Sequence, residues 1–363
     1  MTLLLKEIRS NPILWLLVFV PIVFVAAKLW PEAHTLLFVL SILAIVPLAT
    51  LLSSATESVA TKTGDAVGGL LNATLGNLTE LIIALAALKA GEYTLVKASV
   101  AGAIVANSLF MLGASFLLGG LKYHTQEFNR HGARLQTCLL FLATIAIMTP
   151  SAIVDAESPQ TAFTQQLSVG LSVLLIGTYA LGLLFSLWTH REVFAGAAHH
   201  EAGEATWPTG LALAVLAGVT VLVALTSEVF VESVQEAAKT FGMTPAFVGF
   251  IVVALVGGAA EMASAFAGAR KDRLDLSVGI ALGSAAQIAL FVAPVLVLLS
   301  YVIGPTPMDL RFWPGAVIMV FIATITAFLM TSTGRSAWFV GVFVLMVYLV
   351  FAMTLYLMPP ATL

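Results

Sequence analysis

Apolar runs of about 20 residues alternate along the chain with short breaks that carry charges, prolines and glycines. A helix of that length crosses about 30 Å of hydrocarbon. The pattern therefore predicts an all-α polytopic membrane protein with about eleven transmembrane helices. The predicted spans lie near residues 12–29, 34–56, 67–89, 94–120, 133–152, 163–189, 208–231, 244–269, 273–303, 312–331 and 336–358.

Composition supports the membrane interpretation and excludes several other classes. Hydrophobic residues make up 60% of the chain and charged residues 10%, whereas soluble domains carry about 25% charged residues. The net charge of −3 gives no support for a nucleic-acid partner, and the single Cys138 excludes an internal disulfide or a cysteine-based zinc site. Because no HExxH or GxSxG motif falls within a span, we expect neither an enzyme nor a cofactor.

Basic residues are distributed unevenly between the two sides of the predicted bundle. With the N-terminus in the cytoplasm, eleven lie inside and five outside, and this bias predicts that orientation. We expect a prokaryotic cytoplasmic membrane. The inside set is Lys6, Arg9, Lys62, Lys122, Arg130, Arg134, Arg191, Arg270, Lys271, Arg273 and Arg335; the outside set is Lys28, Lys89, Lys97, Lys239 and Arg311.

The two halves of the chain resemble each other on either side of the most polar break, residues 189–210. We predict an N-terminal helix at 1–33, a five-helix repeat at 34–189, a cytoplasmic linker at 190–207 and a second repeat at 208–363. Because five spans is an odd number, the second repeat must insert upside down. The matched pairs are Glu80 and Glu261, Gly76 and Gly257, Lys89 and Arg270, Gly102 and Gly283, and Glu57 and Glu228.

Polar residues interrupt corresponding spans of the two repeats. In "LLNATLGNLTELIIALAALKAG", residues 70–91, Gly76, Asn77 and Glu80 would share one face of a continuous helix. An inverted repeat with polar, glycine-interrupted helices is the architecture of a secondary transporter with its site near the bilayer midplane. The predicted site residues are Gly76, Asn77, Glu80, Asn107, Gly257, Glu261, Ser284 and Gln287.

A divalent cation would make the buried carboxylates tolerable. Each costs at least about 2.5–3.5 kcal/mol at the centre of a span, and a bound Ca²⁺ accepts six to eight oxygen ligands. An empty pair would repel and take up protons, so cation and proton would compete for Glu80 and Glu261. Glu57 and Glu228 are predicted to act in gating or proton relay, or else to be solvated helix ends. The glycines of the matched spans would allow close helix packing or leave backbone carbonyls free: Gly76, Gly102, Gly257, Gly258 and Gly283.

Two long segments carry a family resemblance. "GGLLNATLGNLTELIIALAALKAGEYTLVKASVAGAIVANSLFMLG" and "GGAAEMASAFAGARKDRLDLSVGIALGSAAQIALFVAPVLVLLS" resemble the two alpha-repeats of cation/proton exchangers in the calcium/cation antiporter superfamily. The resemblance implies Ca²⁺ transport driven by inward proton flow. It also implies that Glu80 and Glu261 are shared Ca²⁺ and H⁺ ligands, with Asn77, Asn107, Ser284 and Gln287 lining the site.

The chain departs from the family pattern where Gly258 replaces an Asn, Met262 a His and Ala103 a Ser, and the linker has fewer acidic residues. The lost amide and hydroxyl open the alternative of Na⁺ or K⁺ exchange for H⁺ on the same fold. A cation channel is a further alternative. In every case the partners are the transported ions and the lipid bilayer.

Overall fold

The computed structural model describes residues 2–63, 65–153, 162–190 and 207–357. In these ranges, ten segments are long and apolar enough to cross a membrane, one of them Val67–Lys89, which a short break divides into α4 and α5 below; one bent helix pair brings the number to eleven. The predicted all-α membrane fold is confirmed. The helices are α1 (Thr2–Ser10), α2 (Pro12–Leu29), α3 (His34–Ala60), α4 (Asp65–Leu75), α5 (Leu78–Lys89), α6 (Tyr93–Tyr123), α7 (Arg130–Ile153), α8 (Ala162–Thr189), α9 (Thr209–Thr240), α10 (Pro245–Gly257), α11 (Ala259–Arg270), α12 (Leu274–Leu299), α13 (Pro314–Thr331) and α14 (Trp338–Leu357).

Most predicted spans agree with the observed helices to within a few residues, but α9 continues to Thr240 where the sequence predicted an end at 231. The added turns carry Glu232 and Glu236 on an exposed face. Their other face is buried, with Val234 and Ala237 at 2% and 0% exposure. Since one face still packs against the bundle, polar residues on the other do not end the helix. The predicted linker at 190–207 lies almost wholly outside the described residues, and the domain division there stays a prediction.

Side-chain caps and glycines set several helix ends. The Asn11 side chain accepts a hydrogen bond from the Ile13 amide (3.1 Å), and Thr244 does the same for Phe247 (3.1 Å). Both caps are followed directly by proline, which lacks the amide proton that a first helical turn leaves unpaired. Gly91 follows the end of α5 with φ +80°, a left-handed conformation that glycine adopts without strain.

The first helices of the two repeats pack along each other. Helices α3 and α9 form the most extensive helix pair in the bundle, and the rings of Phe38 and Phe230 stack between them at 5.4 Å. Helix α6 crosses α10 at backbone contact, because a Cβ on Gly102 would lie 2.1 Å from the Phe250 carbonyl oxygen. Gly102 therefore serves close packing rather than ion binding.

A loop from each repeat is pinned against a corner of the other repeat. At one end of the bundle, Gln126 donates to the Ala269 carbonyl (3.1 Å) and to Asp272 (2.8 Å), at the corner between α11 and α12. Here β1 (Thr125–Glu127) pairs antiparallel with β2 (Arg335–Ala337). This end carries most of the basic residues that the sequence assigns to the cytoplasm.

The corresponding corner at the opposite end joins α5 to α6. The Tyr93 hydroxyl donates to the Thr306 carbonyl (2.6 Å), and Lys97 forms an ion pair with the fully buried Asp309 in the loop between α12 and α13. Lys97 also donates to the Arg311 carbonyl (2.8 Å). The two repeats thus exchange equivalent contacts at opposite ends, as expected for inverted copies.

Candidate cation site

The site begins where the predicted third span breaks. Helix α4 ends at Leu75 and α5 begins at Leu78, so Gly76 and Asn77 lie in the break. The predicted span at 67–89 is confirmed as one apolar span, Val67–Lys89, with a two-residue interruption, and the shared face of Gly76, Asn77 and Glu80 stays a prediction. The Gly76 amide still donates to the Asn72 carbonyl (2.8 Å), but the break gives Glu80 a place in the first turn of α5. The positive end of the helix dipole favours a carboxylate there.

The second repeat has the same construction with a sharper bend. Helices α10 and α11 meet at Gly258 at an angle of 60°. Glu261 lies in the first turn of α11, as Glu80 does in α5. Each repeat therefore presents one carboxylate at the amino end of a half-helix, which is the construction that discontinuous transporter helices use near the membrane centre.

The two carboxylates approach each other across the repeats. A Cβ on Gly257 would lie 3.0 Å from Cγ of Glu80, so the absence of a side chain makes room for that glutamate. Glu261 is close enough to Glu80 for their charges to interact, and it also contacts the Ser284 side chain. The structure thus brings together four of the predicted site residues: Glu80, Gly257, Glu261 and Ser284.

Neutral polar groups connect the helices around the carboxylates. Asn107 Nδ2 donates to Ser284 Oγ (2.9 Å), and Ser284 Oγ donates to Asn77 Oδ1 (2.6 Å). The Gln287 amide lies beside the break between α4 and α5, where its Oε1 is 3.3 Å from the position that a Cβ on Gly76 would occupy. Asn107 belongs to a π-helical turn of α6, Ala106–Met111, and Gln287 directly precedes one in α12, Ile288–Val292. Such turns are frequent at functional sites.

Several polar atoms at this centre have no hydrogen-bond partner among the described residues. They are Asn77 Nδ2, Glu80 Oε1, Glu261 Oε2 and Gln287 Nε2, and all are shielded from solvent. A buried polar atom without a partner is costly. Their convergence indicates a site built for a ligand that the protein itself does not supply. No cluster of three His, Cys, Asp or Glu side chains occurs in the described ranges, so any cation would be held by two carboxylates and neutral oxygens.

Glu80 also lines a narrow cavity between α5, α6, α10 and α12. Its wall includes Ser99, Ala103, Ala254 and Ile288. Ser99 was not among the residues predicted from the sequence, although a serine within an apolar span was an available signal. Ala103, where the family resemblance implies a serine, lines the same cavity as Glu80.

Glu57 and Glu228 lie away from the centre, at opposite ends of the bundle. Glu228 pairs with Lys89 at the end of α5 (2.8 Å), and 45% of its side chain is exposed. Glu57 is exposed near the end of α3. Gly283 packs near Gln136, whose Nε2 would lie 3.4 Å from an added Cβ. These residues do not join the central cluster.

The fold defines a polytopic membrane transporter built from two repeats. The chain belongs to the sodium/calcium exchanger protein family, whose sequence profile matches residues 33–188 and 211–357. This is a family of transporters, which confirms that the chain is not an enzyme.

Several relatives match over nearly the full chain. A Ca²⁺/H⁺ antiporter of Synechocystis is 40% identical over 97% of this chain and 98% of its own length. The Ca²⁺/H⁺ antiporter ChaA of Bacillus subtilis is 41% identical over 91% of this chain and 93% of its own. The solved structure of native YfkE shares 37% identity with a TM-score of 0.80, covering 93% of this chain and 97% of that one.

Proposed function

We propose that this chain is a secondary antiporter that exchanges Ca²⁺ for H⁺ by alternating access, with Glu80 and Glu261 as shared ligands. The observation that carries the proposal is the meeting of these carboxylates, one from each repeat, with shielded oxygens that have no partner among the described residues. The full-length relatives named as Ca²⁺/H⁺ antiporters support it.

The donor set suits a hard divalent cation. Ca²⁺ takes six to eight oxygens from carboxylates, amides and carbonyls in flexible geometry. Two carboxylates offer up to four oxygens, and Asn77, Ser284 and Gln287 stand beside them. The broken helices at Gly76 and Gly258 leave main-chain carbonyls as further candidates.

Proton coupling follows from the same two side chains. Without a cation, two carboxylates at short distance in a low-dielectric interior repel each other, and protonation removes that repulsion. Occupancy by Ca²⁺ and by protons is therefore mutually exclusive. If only the loaded or protonated site changes access, inward proton flow drives Ca²⁺ out of the cytoplasm. Glu57 and Glu228 would act on the access routes at the two ends.

Purified protein in liposomes tests the proposal. An acidic interior should drive Ca²⁺ uptake, and Glu80→Gln or Glu261→Gln should abolish it because the neutral amide cannot exchange a proton for the cation. Glu236→Gln is the matched control, since that carboxylate pairs with Lys239 on an exposed helix surface. Uptake that persists in either site variant, or that is lost equally in the control, contradicts the assignment.

Exchange of Na⁺ or K⁺ for H⁺ is a second candidate, and one observation favours it. Gly258 stands where the first repeat has Asn77, so the second repeat supplies no amide at this position. Fewer neutral oxygens weaken the preference for a cation of high coordination number. Proton release from the same liposomes, measured with Na⁺, K⁺ or Ca²⁺ added singly, separates the two. A response to Na⁺ or K⁺ with none to Ca²⁺ would replace the Ca²⁺ assignment, and cation flux without proton movement would indicate a channel.

A further inference from the structure

A cavity of about 200 Å³ opens between α7 and α13 at the end of the bundle that the basic residues assign to the cytoplasm. Its lining combines two arginines, three hydroxyls and one aromatic ring: Arg130, Arg134, Thr137, Phe328, Thr331 and Ser332. It is separate from the carboxylate centre. The two helices that form it come from different repeats and are joined deeper in the bundle by a hydrogen bond between Thr144 and Thr324 (2.9 Å).

The arginines of this cavity face no acidic side chain among the described residues. They lie four residues apart at the start of α7, so both side chains project from one face of the helix. Neither has an ion-pair partner in the ranges that the structure describes. Two adjacent guanidinium groups without an acidic partner create a local demand for an anion.

Three described acidic side chains on the neighbouring loops and helix ends are engaged in other contacts. Asp275 accepts the Asn129 amide (2.6 Å), Asp272 accepts Gln126 (2.8 Å), and Glu127 pairs with Arg335 (2.8 Å). One of these carboxylates could therefore compensate the positive charge of the cavity only by breaking an existing contact.

The remaining lining gives the cavity a polar floor and an apolar lip. Thr137 and Thr331 are buried, with 0% and 2% exposure, and each hydroxyl donates to a carbonyl of its own helix. A hydroxyl can turn to donate to another acceptor. Phe328 is 41% exposed in the last turn of α13, next to the cavity. An anion at the arginines would thus carry its apolar part along Phe328.

The opposite end of the same helix pair shows that such a cavity is not an unavoidable gap between α7 and α13. There, the Phe312 amide donates to Ser151 Oγ (3.0 Å), and the loop before α13 covers the junction. The open cavity occurs where the arginines are, at the end predicted to face the anionic leaflet.

From these features we propose that the Arg130–Arg134 cavity binds the phosphate group of an anionic phospholipid and that this lipid bridges the two repeats. Arginine matches phosphate oxygens through paired N–H groups, and basic pockets between transmembrane helices on the cytoplasmic side bind anionic headgroups. The lipid phosphate accepts hydrogen bonds from the guanidinium groups, and the acyl chains lie against Phe328 and the bilayer.

Native mass spectrometry of the purified full-length chain tests the proposal, with phosphatidylglycerol and phosphatidylcholine of equal acyl chains as probes. Wild type should retain phosphatidylglycerol preferentially. Arg130→Gln with Arg134→Gln should lower that retention by about 25-fold, since each arginine that contacts the headgroup contributes roughly fivefold to anionic-lipid affinity. Arg9→Gln with Arg270→Gln removes two charges from the same end and should leave retention unchanged.

Two further experiments distinguish the loss of charge from the loss of folding, and a lipid phosphate from free phosphate. Arg130→Lys with Arg134→Lys keeps the charge and should retain most of the lipid preference, whereas equal loss in the lysine and glutamine variants would overturn a charge-based site. Inorganic phosphate should not displace phosphatidylglycerol at millimolar concentration. Displacement would assign the cavity to free phosphate and overturn the lipid proposal, as would unchanged retention in the glutamine variant.

Discussion

The two repeats agree in their charged residues at the site and differ in their neutral ones. Glu80 and Glu261 each occupy the first turn of a half-helix. The preceding break, however, holds Asn77 in one repeat and Gly258 in the other, and only the second repeat bends by 60°. Under the proposed exchange of a cation for protons, each repeat supplies a carboxylate, whereas the neutral ligands can come from either repeat.

The space beside Gly258 shows how the second repeat manages without an amide. A Cβ there would lie 3.3 Å from Met262 Cε and 3.6 Å from Asn107 Oδ1. Asn107 belongs to the first repeat, so one repeat supplies a polar group at the break of the other. The thioether methyl fills the rest of the space, as an unbranched flexible side chain can.

Removing either carboxylate should have the largest effect, and it tests whether the two repeats are equivalent where they look alike. We expect Glu80→Gln and Glu261→Gln each to reduce proton-driven Ca²⁺ uptake to the level of empty liposomes. A Ca²⁺ titration at several pH values should show competition with protons in wild type and no pH-dependent binding in either variant. Exchange that persists in either variant would contradict the assignment of both carboxylates as shared ligands and would show that the repeats are not equivalent.

The corner contacts differ between the repeats, with a buried ion pair at one corner and amide hydrogen bonds at the other, and breaking the ion pair should have the next largest effect. The α5–α6 corner depends on the buried Lys97–Asp309 pair, with 16% and 0% side-chain exposure. Lys97→Met leaves Asp309 charged and unpaired, which should destabilise the protein by about 3–5 kcal/mol. Thermal unfolding in detergent measures this. Lys97→Met combined with Asp309→Leu should recover most of the loss, and a single variant as stable as wild type would contradict the role of the pair.

Exchanging the neutral side chains at the two breaks sharpens the contrast between Asn77 and Gly258. Asn77→Ala removes the acceptor of the Ser284 hydroxyl (2.6 Å), and the loss of a buried partner costs about 1–3 kcal/mol. Ca²⁺ affinity, measured by calorimetry, should fall accordingly. Gly258→Ala removes no hydrogen-bond partner and should change affinity less, although the added Cβ would lie 3.3 Å from the Ala254 carbonyl oxygen as well as from the mobile end of Met262. Equal losses in the two variants would mean that shape rather than the amide matters at both breaks.

Much of this architecture could be predicted from the sequence because it depends on local patterns. Apolar run lengths predicted the spans, and the matched spacing of Gly76 to Glu80 and Gly257 to Glu261 predicted which residues meet. The break itself was predicted only as a glycine interruption, because the apolar pattern of the span continues on both sides of it. Whether Glu80 and Glu261 bind the cargo is a prediction that the two transport variants test.

Contacts that join distant segments could not be predicted in this way. Lys97 and Asp309 are 212 residues apart, and Asp309 lies in a loop whose path no periodic pattern specifies. The end of α9 was missed for a related reason, since Val234 and Ala237 are buried only by packing against other helices. Both depend on tertiary structure rather than on the segment itself.

The smallest effect on stability is expected for Glu57 and Glu228, the matched glutamates that lie at opposite ends of the bundle. Glu228 and Lys89 form an ion pair in which both side chains are largely exposed (45% and 67%), and exposed pairs contribute little to stability because solvent and salt screen them. Glu228→Gln should therefore leave thermal unfolding nearly unchanged.

Transport rates at low and high salt then report on access, with Glu57→Gln as the counterpart at the other end. Slower exchange in both variants, with equal Ca²⁺ affinity at equilibrium, is the result expected of residues on access routes. Unchanged rates in both would make these glutamates solvated helix ends, and a change in only one would assign the access role to one side of the membrane.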